Sequence, residues 1–292
     1  MIKYCVATDS GCDLPDKLCK EKDIYAYAMK YSIEDEEYND QMTPEFDMEF
    51  YNKMRAGVQP HTSQMTPIEF IELWSLAWKE KHLPIVHIAL GSAISGTYAN
   101  GLLAKEIFER ENPEAEIYLV DSTLASLGYG MLCIWAAEMR DSGKSPQECT
   151  TYLEENKLSI NTYYTTDDLI YLYRSGRVSR AGVIVASALN INPILDLDRE
   201  GHLIVREKTR GRKRAIKRIY EIIGERVIDP QKQIVYICHA DCNHEEVKSF
   251  AAGLIERFKF RDALINYIGP TIGAHSGPDL IAAFFIGKQR YM

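Results

Sequence analysis

The sequence predicts an α/β protein of two domains, residues 1–155 and 156–292, the first built on a parallel sheet flanked by helices and the second on a mixed sheet. Three observations predict it. Through the first half, short apolar runs alternate with helix-length amphipathic runs, the pattern of parallel strands joined by crossover helices. Beyond about residue 155 the pattern changes, and two strand-like runs flank Asp198-Arg199-Glu200-Gly201, a hairpin turn composition. The 292 residues also sit at the size where a single hydrophobic core stops growing, about 250–300 residues.

Taken in order, residues 3–8 read as the first strand and 14–22 as a helix with Pro15 in its first turn. Ile85-Val86-His87-Ile88-Ala89-Leu90 has the unbroken character of a buried strand. Gly91-Ser92-Ala93-Ile94-Ser95-Gly96-Thr97 leads from it into an amphipathic run ending near Arg110. Glu116-Ile117-Tyr118-Leu119-Val120 is the next strand, and Asp121-Ser122-Thr123 leads into a helix over 127–140. In the second half, strands are expected at 194–197, 202–208, 233–238 and 264–268, and helices at 181–189, 212–223 and 245–258. His275 lies in Gly273-Ala274-His275-Ser276-Gly277-Pro278, read as a loop after the last strand.

Composition excludes several classes. With 46% hydrophobic and 26% charged residues the chain is globular, with apolar material to spare for a ligand cavity. A net charge of −8 disfavours nucleic acid, which is bound through clustered cations. No apolar run approaches the ~20 residues that span a bilayer. The start, Met1 to Asp9, reads as a strand rather than a signal peptide, and the seven scattered cysteines suit no disulfide framework, so a cytoplasmic location is expected.

Ligands of parallel sheets collect where strand C-termini meet helix N-termini. On that edge the sequence places Asp9-Ser10, Ser92 with Ser95, and Asp121-Ser122-Thr123, and the tract Pro60-His61-Thr62-Ser63-Gln64-Met65-Thr66-Pro67 enters a helix with further hydroxyls. Such hydroxyls and free N–H groups either hold an anionic head group or cap their helices. Gly96 permits close backbone approach. His275 is either placed by its flanking glycines or an ordinary turn residue. Arg177, in Arg174-Ser175-Gly176-Arg177, either reaches an anion or closes a helix.

Cys238-His239-Ala240-Asp241-Cys242-Asn243-His244 lacks paired zinc spacing, and no metal is assigned. Ser95 lacks the Gly-x-Ser-x-Gly elbow, and the chain has neither a Walker loop nor Gly-x-Gly-x-x-Gly, so no cofactor is expected. The tract 208–218 carries Lys208, Arg210, Arg212, Lys213, Arg214, Lys217 and Arg218 with no acid between them, either a solvated face or a surface that steers an acidic partner.

These residues together resemble the DegV family, which includes the fatty-acid-binding subunits of bacterial fatty acid kinase. The resemblance spans essentially the whole chain. Its markers occur in order: Thr8-Asp9-Ser10 with Asp13-Leu14-Pro15, Thr62-Ser63-Gln64, Ser95-Gly96-Thr97-Tyr98, Val120-Asp121-Ser122, Ser175-Gly176-Arg177-Val178 and Gly273 to Pro278.

The resemblance implies a lipid tunnel between the two domains. A long-chain fatty acid would be its ligand, with the carboxylate held by Thr62 or Ser63, by Ser92 or Ser95 beside Gly96, and by His275. Arg177 would stand near the head group or at a kinase interface. An ATP-binding kinase subunit would be the partner and carry the catalysis, leaving this chain a carrier without catalytic residues, with no nucleic-acid partner and with transient contact to membranes. The chain departs from the family pattern at Gly91, Ser175 and Asp279, and Asp279 brings a negative charge near the head group unless it points outward. The rival reading is an acyl or phosphoryl transferase that uses His275 with a nearby serine.

Overall fold

In the first half the alternation builds a four-stranded parallel sheet of order β2-β1-β6-β7. Its strands are β1 (Cys5–Asp9), β2 (Ile24–Tyr27), β6 (Ile85–Ala89) and β7 (Ile117–Asp121). A computed structural model describes residues 3–178 and 191–290, so the helix expected at 181–189 lies outside the described residues. The central strands β1 and β6 are buried along their whole length, which is why they read as mostly apolar runs, broken by His87 in β6 and by Thr8 and Asp9 at the end of β1.

Helices α1 (Asp16–Glu21), α3 (Pro67–Lys81), α4 (Thr97–Glu111), α5 (Leu127–Asp141) and α6 (Pro146–Asn156) accompany this sheet. Helix α3 starts where Thr66 and Glu69 form a reciprocal capping box and Pro67 takes the first position. Its Phe70 and Trp74 pack with Phe108 of α4. His87 belongs to this core, where Nδ1 accepts from the Trp74 indole N–H at 3.1 Å and burial holds its pKa down at about 3.

Between β2 and α3 the chain inserts β3 (Lys30–Ile33), β4 (Glu36–Asn39), α2 (Pro44–Arg55) and β5 (Pro60–Thr62). The three strands form an antiparallel sheet of order β4-β3-β5. The sequence does not announce it, because its strands are three or four residues long and largely polar. Part of the hydroxyl tract expected as a loop is therefore strand β5. The insertion is held against the second half by the Tyr51 hydroxyl, which donates to the Ile268 carbonyl at 2.7 Å, and by Arg55, which pairs with Asp241 and Asp279.

After α6 and a 3-10 turn at Lys157–Ser159, a second, mixed sheet begins, of order β10-β9-β8-β13-β11-β12. Its strands are β8 (Ile160–Thr165), β9 (Ile191–Leu197), β10 (Leu203–Arg210), β11 (Val235–His239), β12 (Ala263–Tyr267) and β13 (Ile281–Ile286). β9 and β10 form the expected hairpin. β8 and β13, the two neighbours at the centre, were not expected. β8 reads Ile-Asn-Thr-Tyr-Tyr-Thr, polar in sequence, yet all six residues are buried.

Among the described residues, four helices accompany this sheet: α7 (Ile170–Arg174), α8 (Arg212–Arg226), α9 (His244–Phe258) and α10 (Pro270–Ser276). α8 and α9 cover one face of the sheet through Ile219, Phe250 and Phe285. The opposite face joins the core of the first half. Residues 273–278 depart from the loop expected of them. His275 is on helix α10 rather than in a loop, and β13 comes after it.

Candidate functional site

A cavity of about 350 Å³ lies between the C-terminal edge of the parallel sheet and the inner face of the mixed sheet. Leu90, Ile94, Ser95 and Gly96 reach it from the β6–α4 loop, and Ala125 and Ser126 from the β7–α5 loop. This is the edge at which open parallel sheets bind ligands. The mixed sheet supplies the other wall with Thr162, Tyr164, Leu197, Cys238, Ala282 and Phe284. Much of the lining is apolar.

One end is polar. There Thr62, Ser63, Gln64, Ser95, Arg177, His275 and Ser276 meet. Thr62 Oγ1 and His275 Nε2 are 2.7 Å apart. Burial, then the charge of Arg177 and then His61, hold the His275 pKa down at about 4, so the ring is neutral at neutral pH. In the tautomer with Nε2–H, the imidazole donates to Thr62 and leaves the threonine proton free for an acceptor in the cavity. Ser276 is 3% exposed, and its hydroxyl has no hydrogen-bond partner among the described residues.

Arg177 is half-buried and its charge is disfavoured by that burial, but a guanidinium stays protonated. It donates to the carbonyls of Ile94, at 3.3 Å, and Ser175. Among the described residues no carboxylate stands against it. A second, outer recess of about 320 Å³ is lined by His61, Tyr171 and Arg174, and it shares Thr62, Arg177 and His275 with the cavity. Those three side chains stand at the junction of the two spaces.

Local contacts position several of these groups. The Thr62 to Gln64 segment is clasped onto α4, because Met65 N–H donates to Thr97 Oγ1 at 3.3 Å and Asn100 Nδ2 donates to the Met65 carbonyl at 2.9 Å. The Ser95 hydroxyl donates to Thr97 Oγ1 at 3.0 Å. Gly96 lets Gln64 lie against it, since a Cβ there would stand 2.0 Å from Gln64 Oε1. At the end of α10, Gly277 has φ +75° and the Tyr171 ring packs where its Cβ would be, which docks α10 on α7.

The acids of the first loop act as scaffold. Asp9 accepts from the Tyr129 hydroxyl at 2.7 Å and from Gly11 N–H at 3.0 Å. Ser10 Oγ accepts from Met29 N–H at 3.0 Å. Asp13 accepts from the Ser126 hydroxyl and from Gly269 N–H at 2.9 Å, so it ties the start of α10 to the first half of the chain.

Of the residues expected at a head group, the structure brings together Thr62, Ser63, Ser95, Gly96, His275 and Arg177. Ser92 is the exception. It is exposed, its hydroxyl donates to Asp121 at 2.5 Å, and it is not part of the cavity wall. Asp121 accepts from the backbone of Ser92 and Thr123 as well, so that acid organises two loops rather than a ligand. Asp279 bonds Arg55 at 3.0 Å and does not line the cavity. Sequence reasoning missed Ser126 and Ser276. The hydroxyl beside His275 was the signal for the last.

The Cys238 to His244 segment holds no metal cluster among the described residues. In the basic tract, Arg212 pairs with Asp167 and Glu246, and Arg218 with Glu207, Glu221 and Glu225. Acids distant in sequence or just outside the tract thus neutralise part of it.

The family model described as "Uncharacterised protein, DegV family" matches residues 3–288. This chain belongs to the DegV family. A DegV domain-containing protein of Clostridium perfringens is 36% identical over 291 residues, covering 99% of each chain. Among solved structures, the DegV lipid binding protein from Thermotoga maritima matches with a TM-score of 0.86 at 26% identity, covering 99% of each chain. DegV, a fatty acid binding protein from Bacillus subtilis, matches with a TM-score of 0.85 at 28% identity over 99% of this chain and 100% of that one. The DegV markers of this chain divide by role in its structure: the Asp9 and Asp121 motifs brace loops, whereas the Thr62, Ser95, Arg177 and His275 motifs face the cavity. Among the described residues, no helix is long and apolar enough to cross a membrane.

Proposed function

We propose that this DegV-family protein buries a long-chain fatty acid in the cavity and presents its carboxylate to a partner, an ATP-binding fatty acid kinase subunit. The observation that carries this reading is the polar end of an otherwise apolar chamber. There the Arg177 guanidinium faces no carboxylate among the described residues, and hydroxyls of Thr62, Ser95 and Ser276 stand near it. A buried carboxylate without partners costs several kcal/mol, and a guanidinium with converging donors offsets that cost. Each methylene buried in the chamber contributes about 0.8 kcal/mol, so the chain supplies most of the affinity and the polar end sets orientation. That the Bacillus subtilis relative is a fatty acid binding protein supports a fatty acid as the ligand.

In this reading Thr62, Ser63, Ser95, Gly96, His275 and now Ser276 form the carboxylate site, and Ser92 is left out of it. The outer recess with Arg174 and Arg177 is where the kinase reaches the head group. Residues 1–155 and 156–292 act as two domains that close on the ligand. The protein works in the cytoplasm, touches membranes only while loading, and leaves catalysis to its partner.

Mass spectrometry of an organic extract from the purified, folded protein tests the reading. A stoichiometric long-chain acid supports it, and phosphorylation of that acid only when a kinase subunit and ATP are added supports presentation. Protein that carries no acid and refuses added acid overturns it. Turnover by the protein alone, abolished by His275→Ala, would replace the carrier with an enzyme. The group on His275 Nε2 is Thr62 rather than a serine.

A further inference from the structure

Away from the polar end, besides Ser126, which is bonded to Asp13, the chamber wall carries two hydroxyls without a partner among the described residues, where a plain hydrocarbon ligand calls for none. Side chains alternate along β8, and Thr162 and Tyr164 share the face that lines the cavity. Both are nearly sealed from solvent, 3% and 6% exposed, and neither Thr162 Oγ1 nor Tyr164 OH has a hydrogen-bond partner among the described residues.

The strand register places them along the chamber. Tyr164 lies opposite Ala282 on β13 and Leu195 on β9, and Thr162 lies opposite Phe284. β13 leaves the His275 end at Leu280 and runs past Ala282 to Phe284. Tyr164 and then Thr162 are therefore met with increasing distance from the carboxylate site, about 7 Å apart along the strand. Their cross-strand neighbours are apolar side chains that offer neither donor nor acceptor. The nearby Cys238 thiol is already engaged by the Ser126 hydroxyl at 3.3 Å.

A buried hydroxyl left unmatched costs roughly tenfold in an equilibrium, and the isosteric pair Val and Phe would line the same wall without that cost. We propose that Thr162 and Tyr164 select a fatty acid whose chain carries an oxygen function, a hydroxyl or a ketone, partway along its length. The ligand oxygen satisfies one or both hydroxyls, and the apolar side chains beside them, Leu197, Ala282 and Phe284, disfavour the same oxygen at neighbouring positions of the chain. This inference rests on the carrier reading and names the ligand class of that site.

The test is a displacement titration of the full-length protein with stearic acid and with positional isomers of hydroxystearic and oxostearic acid. One mid-chain isomer is expected to bind about tenfold or more tighter than stearic acid. Tyr164→Phe and Thr162→Val should each shrink that preference, and a cooperative melt and wild-type circular dichroism in each variant report an intact fold. Stearic acid binding with every oxygenated isomer weaker overturns the inference and leaves the carrier reading standing. A preference that survives in the double variant also overturns it. Refusal of every acid by the wild-type protein overturns both.

Discussion

Replacing Thr62 by valine keeps the shape of the side chain and removes one oxygen, the one 2.7 Å from His275 Nε2. Two effects follow, and they separate. His275 loses its Nε2 partner whether or not ligand is bound, so this loss nearly cancels in affinity and appears as roughly 1 kcal/mol of stability. The carboxylate loses a donor only in the complex, and hydrogen bonds to charged groups contribute about 1.5–3 kcal/mol, or roughly 10- to 150-fold in affinity. A long-chain alcohol of the same length makes only a neutral contact, about 0.5–1.5 kcal/mol. The ratio of acid to alcohol affinity should therefore fall by about tenfold in Thr62→Val, and Thr62→Ser should restore most of it. Isothermal titration with stearic acid and stearyl alcohol measures both. Equal losses for acid and alcohol would refute this, showing that Thr62 shapes the chamber and does not hold the head group.

Three further outcomes are expected. Burial pushes the Asp47 carboxyl up to about 9, with the charges of Asp40 and Asp13 adding to it, from an ordinary 3.8. The folded protein thus holds a proton that the unfolded chain releases. Stability is then lost as pH rises from about 4 through about 9, and Asp47→Asn should flatten that loss in melts and be the more stable protein near pH 8 by on the order of 1 kcal/mol or more. Gly277→Ala adds a Cβ to a residue at φ +75° and places it 2.3 Å from the Tyr171 ring, so about 1–3 kcal/mol of stability should be lost in denaturant titrations, with head-group binding weakened as α10 shifts. The His275 ring should titrate near 4 by NMR in the free protein and higher when a carboxylate is bound, because an adjacent anion favours the imidazolium. An unchanged titration would place the carboxylate away from His275.

The periodic parts of the molecule are the ones whose character was visible in one dimension. Residues 85–89 are apolar but for His87 because β6 is covered on both faces, and the capping box at Thr66 and Glu69 is written into four consecutive residues. β8 was invisible for the opposite reason. Its polar residues are buried by neighbours that arrive from 191–197 and 281–286, and no local pattern records that. The basic tract shows the same limit. Seven cations without an acid between them read as a free charged face until folding brought Glu246 and Asp167 to Arg212 and wrapped Arg218 in glutamates.

For the site, the sequence by itself determined the chemistry: hydroxyl-rich loops at strand ends, an arginine after a glycine and a histidine among glycines, residue types chosen for donors and close approach. Which of those hydroxyls face the cavity follows from the tertiary structure. Ser92 and Ser95 are three residues apart on one loop, yet Asp121 from the next strand takes the first and leaves the second on the cavity wall. A hydroxyl's role depends on the partner nearest in space, and that partner is brought by the fold from a part of the chain the local sequence does not contain.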